Sequence, residues 1–154
     1  MQTTQTQQAT GSNSPAAAIN ARALALSTQR AITLSYYNED QQRAVLTLYQ
    51  LVKRHNGTSG GNAAAKFLLG LYNGNRFPFD LTDFRVFDTE NFNAAMIVLA
   101  LDAHRCWCEV HVLLNAILGV GANTGAEFEN WAYNLKLRGR CKKENLPVLQ
   151  GRAA

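Results

Sequence analysis

The segment of this chain with the most chemically capable side chains is His104-Arg-Cys-Trp-Cys-Glu-Val-His111. If the segment forms one continuous helix, His104, Cys108 and His111 are spaced by four and then three residues and share one face. Imidazole and thiolate groups are ligands that zinc prefers, and a structural zinc site needs four ligands. The nearby side chains that could supply the fourth are those of Asp102, Glu109 and Cys141.

Two features of the segment argue against this zinc site. Cys-x-Cys is not a usual spacing of zinc ligands, and the chain has no second cysteine pair. A free cysteine is often simply a small side chain of the hydrophobic core. We therefore predict that the chain binds no metal and no other cofactor, and we keep His104, Cys108 and His111 only as a weak candidate site.

The same segment could instead hold a cysteine nucleophile beside a histidine base. Cys108 and His111 are three residues apart, as neighbours on one helix face would be. Nucleophilic catalysis also needs a group that orients the base and donors that stabilise the oxyanion. Neighbouring residues on a bundle helix rarely enclose such a pocket, so we predict that the protein is not an enzyme.

The acidic residues between positions 80 and 90 and two glycine-rich stretches have simpler explanations than ligand binding. Apolar residues separate the acidic side chains, which does not fit a calcium loop. Asp80 and Asp88 are instead well placed to cap helices. The glycines within 59–61 and 119–121 do not follow predicted strands, so they indicate loops rather than phosphate-binding turns.

Basic side chains cluster near the C-terminus, at Lys136, Arg138, Arg140, Lys142 and Lys143. This cluster could bind nucleic acid weakly and with a strong dependence on salt. It could also be a solvated helix end, where cations interact favourably with the helix dipole. The formal charge of the chain is +4, yet residues 38–137 carry eight basic and ten acidic side chains. A domain that reads nucleic acid would carry its basic surface on the fold, so we favour a protein partner.

Length and composition indicate one helical domain. The chain has 154 residues, of which 47% are hydrophobic, and this is enough for a single core. Apolar residues recur with helical spacing, and no strand pattern is present. The sequence therefore predicts an all-α fold, a compact bundle of about five to six short helices.

The location that we expect is cytoplasmic, with no contact to the membrane. The longest weakly polar stretch, 91–101, is much shorter than the ~20 residues that a membrane span requires. The N-terminus has neither the basic start nor the apolar segment of a secretory signal. The three cysteines are an odd number and do not suggest a disulfide framework.

The chain divides into four expected parts. Residues 1–13 are polar and predict a disordered tail. Residues 14–37 predict an alanine-rich helix that begins at Ser14-Pro15 and docks loosely, leaving a surface on which a dimer or another partner could form. Residues 38–137 predict the helical domain, and residues 138–154 predict an irregular basic tail. The oligomeric state stays open.

Local signals place the early helices of the domain. Asn38 and Gln41 have the spacing of a capping box at the start of the second helix. A phenylalanine-rich connector at 77–88 should pack against the third helix and contain one short helical turn from Asp80. Asp88 should then cap a fourth helix, which we expect to be the most buried one because apolar residues fill most of its sides.

The later helices and the core of the connector follow from the same patterns. A fifth helix should follow Cys108, and Thr124 with Glu127 predicts a capping box at the start of a sixth. The residues Phe67, Leu68, Phe79, Leu81 and Phe84 are those that a helix–connector–helix core would need.

Two stretches resemble a known family. Phe67-Leu-Leu-Gly-Leu-Tyr-Asn73 and Phe79-Asp-Leu-Thr-Asp-Phe84 are similar to the pattern "FLL-x-aromatic-aromatic-N … FDLTDL" of a small domain family of unknown function. That family is encoded mainly on integrative and conjugative elements and plasmids of bacteria. The chain departs from the pattern at Leu71-Tyr72, where two tryptophans are usual, and at Phe84-Arg85, where Leu-Trp is usual.

The resemblance covers Val45 to Leu137 and includes a companion motif in Glu109-Val-His111 and in residues 125–131. It implies an origin in mobile DNA and implies no reaction. Our first hypothesis is therefore a non-enzymatic protein that binds a host macromolecular complex, such as an inhibitor of CRISPR interference. The alternative is a nucleic-acid-associated accessory factor that uses the basic tail, and a metal-dependent or cysteine enzyme is third.

Overall fold

The computed structural model describes residues 14–137, which form a helical bundle without a strand in that range. Its elements in chain order are α1 (Pro15–Ser35), α2 (Glu39–Arg54), α3 (Ser59–Asn73), a short 3-10 helix (Leu81–Val86), α4 (Thr89–Arg105), α5 (Val110–Leu118) and α6 (Thr124–Asn134). This confirms the predicted all-α fold. The predicted tails, 1–13 and 138–154, lie outside the described residues.

Four of the predicted helix caps are confirmed, and the first is Ser14, whose side chain accepts from the Ala17 backbone N–H at 3.2 Å. The Asn38 side chain accepts from the Gln41 backbone N–H at 2.9 Å, and the Gln41 side chain accepts from the Asn38 backbone N–H at 3.0 Å. Asp80 caps the 3-10 helix by accepting from Thr82, and Asp88 caps α4. Such caps satisfy N–H groups that the first helical turn leaves without partners.

The core forms where α3 packs against α2, α5 and α6. Seven residues of α3 are buried but only three of α4, so the prediction that α4 is the most buried helix was wrong. The reason is position, because α4 packs mainly against α2 and leaves its other side in solvent. Phe92 and Ile97 of α4 are among the exposed large apolar residues.

The connector packs through its phenylalanines. The ring of Phe67 in α3 meets the rings of Phe79 and Phe84 at centroid distances of 5.4 and 5.3 Å, in the edge-to-face geometry that aromatic pairs prefer. Leu81 was expected in this core but is 70% exposed. It is the first residue of the 3-10 helix and lines an open depression together with Phe79 and Phe84, so solvent reaches it.

The start of α6 differs from the predicted capping box. The cap is Asn123, whose side chain accepts from the Ala126 backbone N–H at 3.2 Å. Thr124 is fully buried, and its hydroxyl donates to the His111 carbonyl oxygen at 2.7 Å. Glu127 reaches Tyr49 and Lys53 of α2 instead of the helix start. The hydroxyl of Thr124 therefore ties α6 to α5.

The first helix lies on the outside of the bundle and touches mainly α5. Its anchor is Arg30, whose Nε donates to the Ala116 carbonyl oxygen at 2.6 Å. Thr33, one turn further on, is buried. No helix among residues 14–137 is both long and apolar enough to cross a membrane.

Candidate functional site

Residues 104–111, which carry the most chemically capable side chains in the sequence, span a break between two helices. Helix α4 ends at Arg105 and α5 begins at Val110, which confirms the predicted start of a fifth helix after Cys108. The single continuous helix that the zinc site would require is therefore not formed. His104 is exposed at the end of α4, whereas the His111 ring lies 5.0 Å from the Tyr72 ring. Between residues 14 and 137, no three His, Cys, Asp or Glu side chains are grouped to hold a metal ion. That the chain binds no metal stays a prediction.

The Cys108 side chain packs beneath the break between α4 and α5. Its sulfur lies 3.4 Å from the Tyr37 hydroxyl, and the two form a hydrogen bond. Burial and the contact with Cys108 raise the pKa of Tyr37 well above its ordinary value. A cavity of about 20 Å³ lies beside these groups and is large enough for one water molecule. It is too small for a substrate.

Cys106 sits at the surface of the same break in an acidic environment. Burial raises the pKa of its thiol, and the carboxylates of Asp102 and Glu109 raise it further. The pKa of Asp102 is itself raised by burial and by the charge of Glu109. A reactive cysteine needs the opposite influences, namely cations or a helix N-terminus that stabilise the thiolate. This environment keeps Cys106 protonated near neutral pH.

The break also presents two aromatic rings to solvent. Trp107 stacks on Tyr36 with a centroid distance of 4.7 Å and an angle of 15° between the rings. Their exposed fractions are 60% and 50%. Tyr37, which follows Tyr36, is buried and forms a hydrogen bond with Cys108, which follows Trp107. This contact holds together the two backbone segments that carry the rings. The pair, called here the Tyr36–Trp107 stack, joins the end of α1 to the α4–α5 break.

Sequence reasoning missed a buried ion pair on the other side of α5. The Glu129 side chain is fully buried, and both of its oxygens accept from the Arg76 guanidinium at 2.7 Å. The Tyr72 hydroxyl also donates to this carboxylate, at 3.2 Å. Glu129 lies between Glu127 and Asn130 in the sequence, so its charge gave no local signal that it is buried. The pair holds α6 to the end of α3.

A second carboxylate of α6 makes a more exposed contact. Glu127 accepts from the Tyr49 hydroxyl at 2.9 Å and from Lys53 Nζ at 2.9 Å. The hydrogen bond to Glu127 raises the pKa of Lys53. An open polar depression of about 290 Å³ lies beside this contact, with Asn130 and Trp131 in its lining. The contact itself stabilises the packing of α2 against α6.

Only one residue of the predicted basic cluster is described. Lys136 is exposed just after α6 and has a φ of 63°, the left-handed conformation in which helices often end. Arg138, Arg140, Lys142 and Lys143 lie outside the described residues. Their predicted contact with nucleic acid stays a prediction.

Comparison with known proteins identifies the family but no activity. The sequence profile of a family of unknown function, DUF7673, matches residues 42–131, which is more than half of the chain. The chain belongs to DUF7673. No curated protein and no solved structure matches it.

The DUF7673 match can be placed on the fold. It begins in α2 and ends in α6, so it includes the Arg76–Glu129 pair and the α4–α5 break with Trp107. It also includes both motifs that suggested a family relationship, at 67–73 and 79–84. Helix α1 and Tyr36 precede the matched part of the DUF7673 domain. The Tyr36–Trp107 stack therefore joins the family domain to a segment outside the match.

Proposed function

We propose that this member of DUF7673 is a non-enzymatic binding protein, encoded on a mobile genetic element, that acts on a macromolecular complex of the host cell. The specific form of the proposal is an inhibitor of a bacterial defence system such as CRISPR interference. The observation that carries the proposal is the exposed Tyr36–Trp107 stack.

The stack has the properties of an anchor in a protein interface. Tryptophan and tyrosine are enriched among the few interface residues that dominate binding free energy. Each ring offers a large apolar area, and few rotatable bonds must be fixed when a partner binds. Since Trp107 and Tyr36 already support each other in the free protein, little further ordering is required on binding.

The charges near the stack favour a protein over a nucleic acid. Asp102 and Glu109 flank the α4–α5 break closely enough for Glu109 to raise the pKa of Asp102. Arg105 is the cation nearest in sequence to these two carboxylates. Aromatic rings can also stack on nucleic acid bases, but such sites combine them with a positively charged groove. An excess of carboxylates would repel the phosphates.

The origin in mobile DNA rests on the motifs at 67–73 and 79–84, and it motivates the choice of a host complex as the partner. The raised pKa of Cys106 agrees with a non-enzymatic protein, because a protonated thiol is a poor nucleophile. DUF7673 is a family of unknown function, so membership in it names no reaction.

The test is an interference assay in bacteria that carry an active CRISPR system and a targeted plasmid. Wild-type protein should restore plasmid transformation, and Trp107→Ala should lose this effect while the protein remains folded. The matched control is Val120→Ala, which shortens a 99% exposed side chain on a loop. If wild-type protein does not restore transformation, or if Trp107→Ala restores it equally, this form of the proposal is wrong.

A further inference from the structure

Two cysteines, Cys106 and Cys108, lie on either side of Trp107 in the break between α4 and α5. Both side chains line the same cavity of about 20 Å³, and Tyr37 lines it as well. Cys106 is exposed at the surface, whereas Cys108 is half-buried. A small oxidant in solution can therefore reach the first thiol, and the second thiol lies close by in the interior.

The backbone of the break turns the two cysteines to the same side of the chain. Cys106 has φ −69° and ψ 90°, which is an extended conformation, and alternate side chains of an extended segment point to one side. The Cys106 thiol donates to the Cys108 carbonyl oxygen, with 3.4 Å between sulfur and oxygen. The Trp107 ring, between the two cysteines in the chain, instead stacks on Tyr36 and meets solvent.

The separation of the two cysteines suits a disulfide. Two residues of extended chain span about 6.4–6.8 Å, and disulfides join residues whose Cα atoms are about 4.4–6.8 Å apart. Closure requires the Cys108 sulfur to turn away from the Tyr37 hydroxyl, which lies 3.4 Å from it. A ring that encloses a single intervening residue is strained, and strained disulfides are the easily reduced ones that serve in regulation.

We propose that Cys106 and Cys108 form a reversible disulfide, and that this disulfide releases the Tyr36–Trp107 stack. The oxidant is a low-molecular-weight disulfide such as glutathione disulfide. Cys106 loses its proton, attacks one sulfur of the oxidant and displaces one glutathione thiolate, which takes up a proton. Cys108 then loses its proton, attacks the Cys106 sulfur and displaces the second glutathione in the same way. Two protein thiols are oxidised, and one glutathione disulfide is reduced to two thiols.

The disulfide acts on the stack through Tyr37 and through the backbone. The hydrogen bond between Tyr37 and Cys108 holds together the two segments that carry the rings. Disulfide formation removes this hydrogen bond, and the buried Tyr37 hydroxyl loses that partner, which is unfavourable. It also changes the backbone at Trp107, the residue that the ring encloses. The stack is therefore assembled in the reduced protein and released in the oxidised protein.

The acidic surroundings of Cys106 affect the rate of this reaction. Burial and the carboxylates of Asp102 and Glu109 raise the pKa of its thiol, and the rate of exchange depends on the fraction of thiolate. Oxidation is therefore slow near neutral pH, while the equilibrium between protonated thiols and the disulfide is unaffected. The switch adds redox control to the surface of the proposed function, but it is measured on the isolated protein. Its failure and the failure of the binding function are therefore distinguishable.

The test is equilibration of the purified full chain in glutathione buffers of increasing oxidised fraction, followed by blocking of free thiols and peptide mass spectrometry. The peptide that contains Cys106 and Cys108 should lose the mass of two hydrogen atoms, and dithiothreitol should reverse this. Cys106→Ser and Cys108→Ser should each abolish the disulfide. Cys141→Ser is the matched control and should retain it, because the third cysteine takes no part in the reaction.

The state of the stack is followed by the indole N–H signals of the two tryptophans in NMR spectra of the same samples. The Trp107 signal, assigned by its absence in Trp107→Phe, should shift on oxidation, and the Trp131 signal should not. In Cys108→Ser neither signal should respond to the buffer. Glutathione adducts without an internal disulfide, loss of the disulfide in Cys141→Ser, or a disulfide that leaves the Trp107 signal unchanged would each overturn the proposal.

Discussion

Arg76 and Glu129, 53 residues apart in the chain, form an ion pair in which both nitrogen–oxygen distances are 2.7 Å. The Glu129 side chain is fully buried and that of Arg76 is 22% exposed. A buried charge is tolerated only when its partner and its hydrogen bonds are present. The pair therefore makes the packing of α6 dependent on the end of α3, and the α5 helix that follows Trp107 packs against both.

Removing one partner of this pair should destabilise the fold strongly. We expect Glu129→Ala to lower the free energy of unfolding by about 3–5 kcal/mol, because the Arg76 guanidinium loses its buried counter-charge. The control is Arg43→Ala, which breaks the exposed Arg43–Asp40 pair and should cost less than about 1 kcal/mol. Urea unfolding followed by circular dichroism measures both values.

The double variant Arg76→Leu/Glu129→Leu gives an independent check of the same pair. It should be less destabilised than the sum of its single variants, since neither charge is left without its partner. Additive losses of stability would show that the two residues do not act together.

Two adjacent glycines of α3 should respond oppositely to substitution. A Cβ at Gly61 would overlap the carbonyl group of His55, whereas a Cβ at Gly60 would meet nothing within 4 Å. We expect Gly61→Ala to cost about 1–3 kcal/mol, because backbone must move. Gly60→Ala should be neutral or stabilise by up to about 1 kcal/mol through helix propensity. Thermal unfolding of the two variants tests this, and similar values for both would contradict the close turn between α2 and α3.

The acidic surroundings of Cys106 should slow its alkylation. Because burial and the carboxylates of Asp102 and Glu109 raise its thiol pKa, less thiolate is present at a given pH than in an ordinary cysteine. The midpoint of the rate against pH should lie above that of free cysteine. Iodoacetamide labelling, with fragment ions that distinguish Cys106 from Cys108, measures this midpoint.

Removing one of those charges gives the matched comparison for Cys106. Asp102→Asn should lower the midpoint and speed the reaction, while Asp40→Asn on α2 should change neither. A midpoint below that of free cysteine would contradict the assigned environment and would favour a reactive cysteine.

Helix starts could be predicted from the sequence where the interaction is local. Asn38 and Asp88 cap helices whose first turns they precede directly, so spacing alone identifies them. The start of α6 was misplaced by one residue because Thr124 bonds across to the carbonyl of His111. The buried role of Glu129 depends on a partner 53 residues away, and no local pattern reveals it.

The candidate site was harder to predict than the fold. The sequence predicted a helix boundary here, with a fifth helix after Cys108, although the break after Arg105 contains neither glycine nor proline. That boundary alone did not indicate that Trp107 is exposed. Its position against Tyr36 depends on how α1 meets the α4–α5 break, which is a tertiary contact. The exposed stack therefore became visible only in the structure.

The measurement that tests the proposed binding function most directly is quantitative co-purification of tagged full-length protein from host cells with an active defence system. Wild-type protein should recover one defined complex in near-stoichiometric amount. Trp107→Ala should recover at least about tenfold less, as expected for an aromatic anchor, and Val120→Ala should recover the wild-type amount. Recovery of the same complex in equal amount by wild-type protein and Trp107→Ala, or of no complex by either, would contradict the Tyr36–Trp107 stack as the binding site.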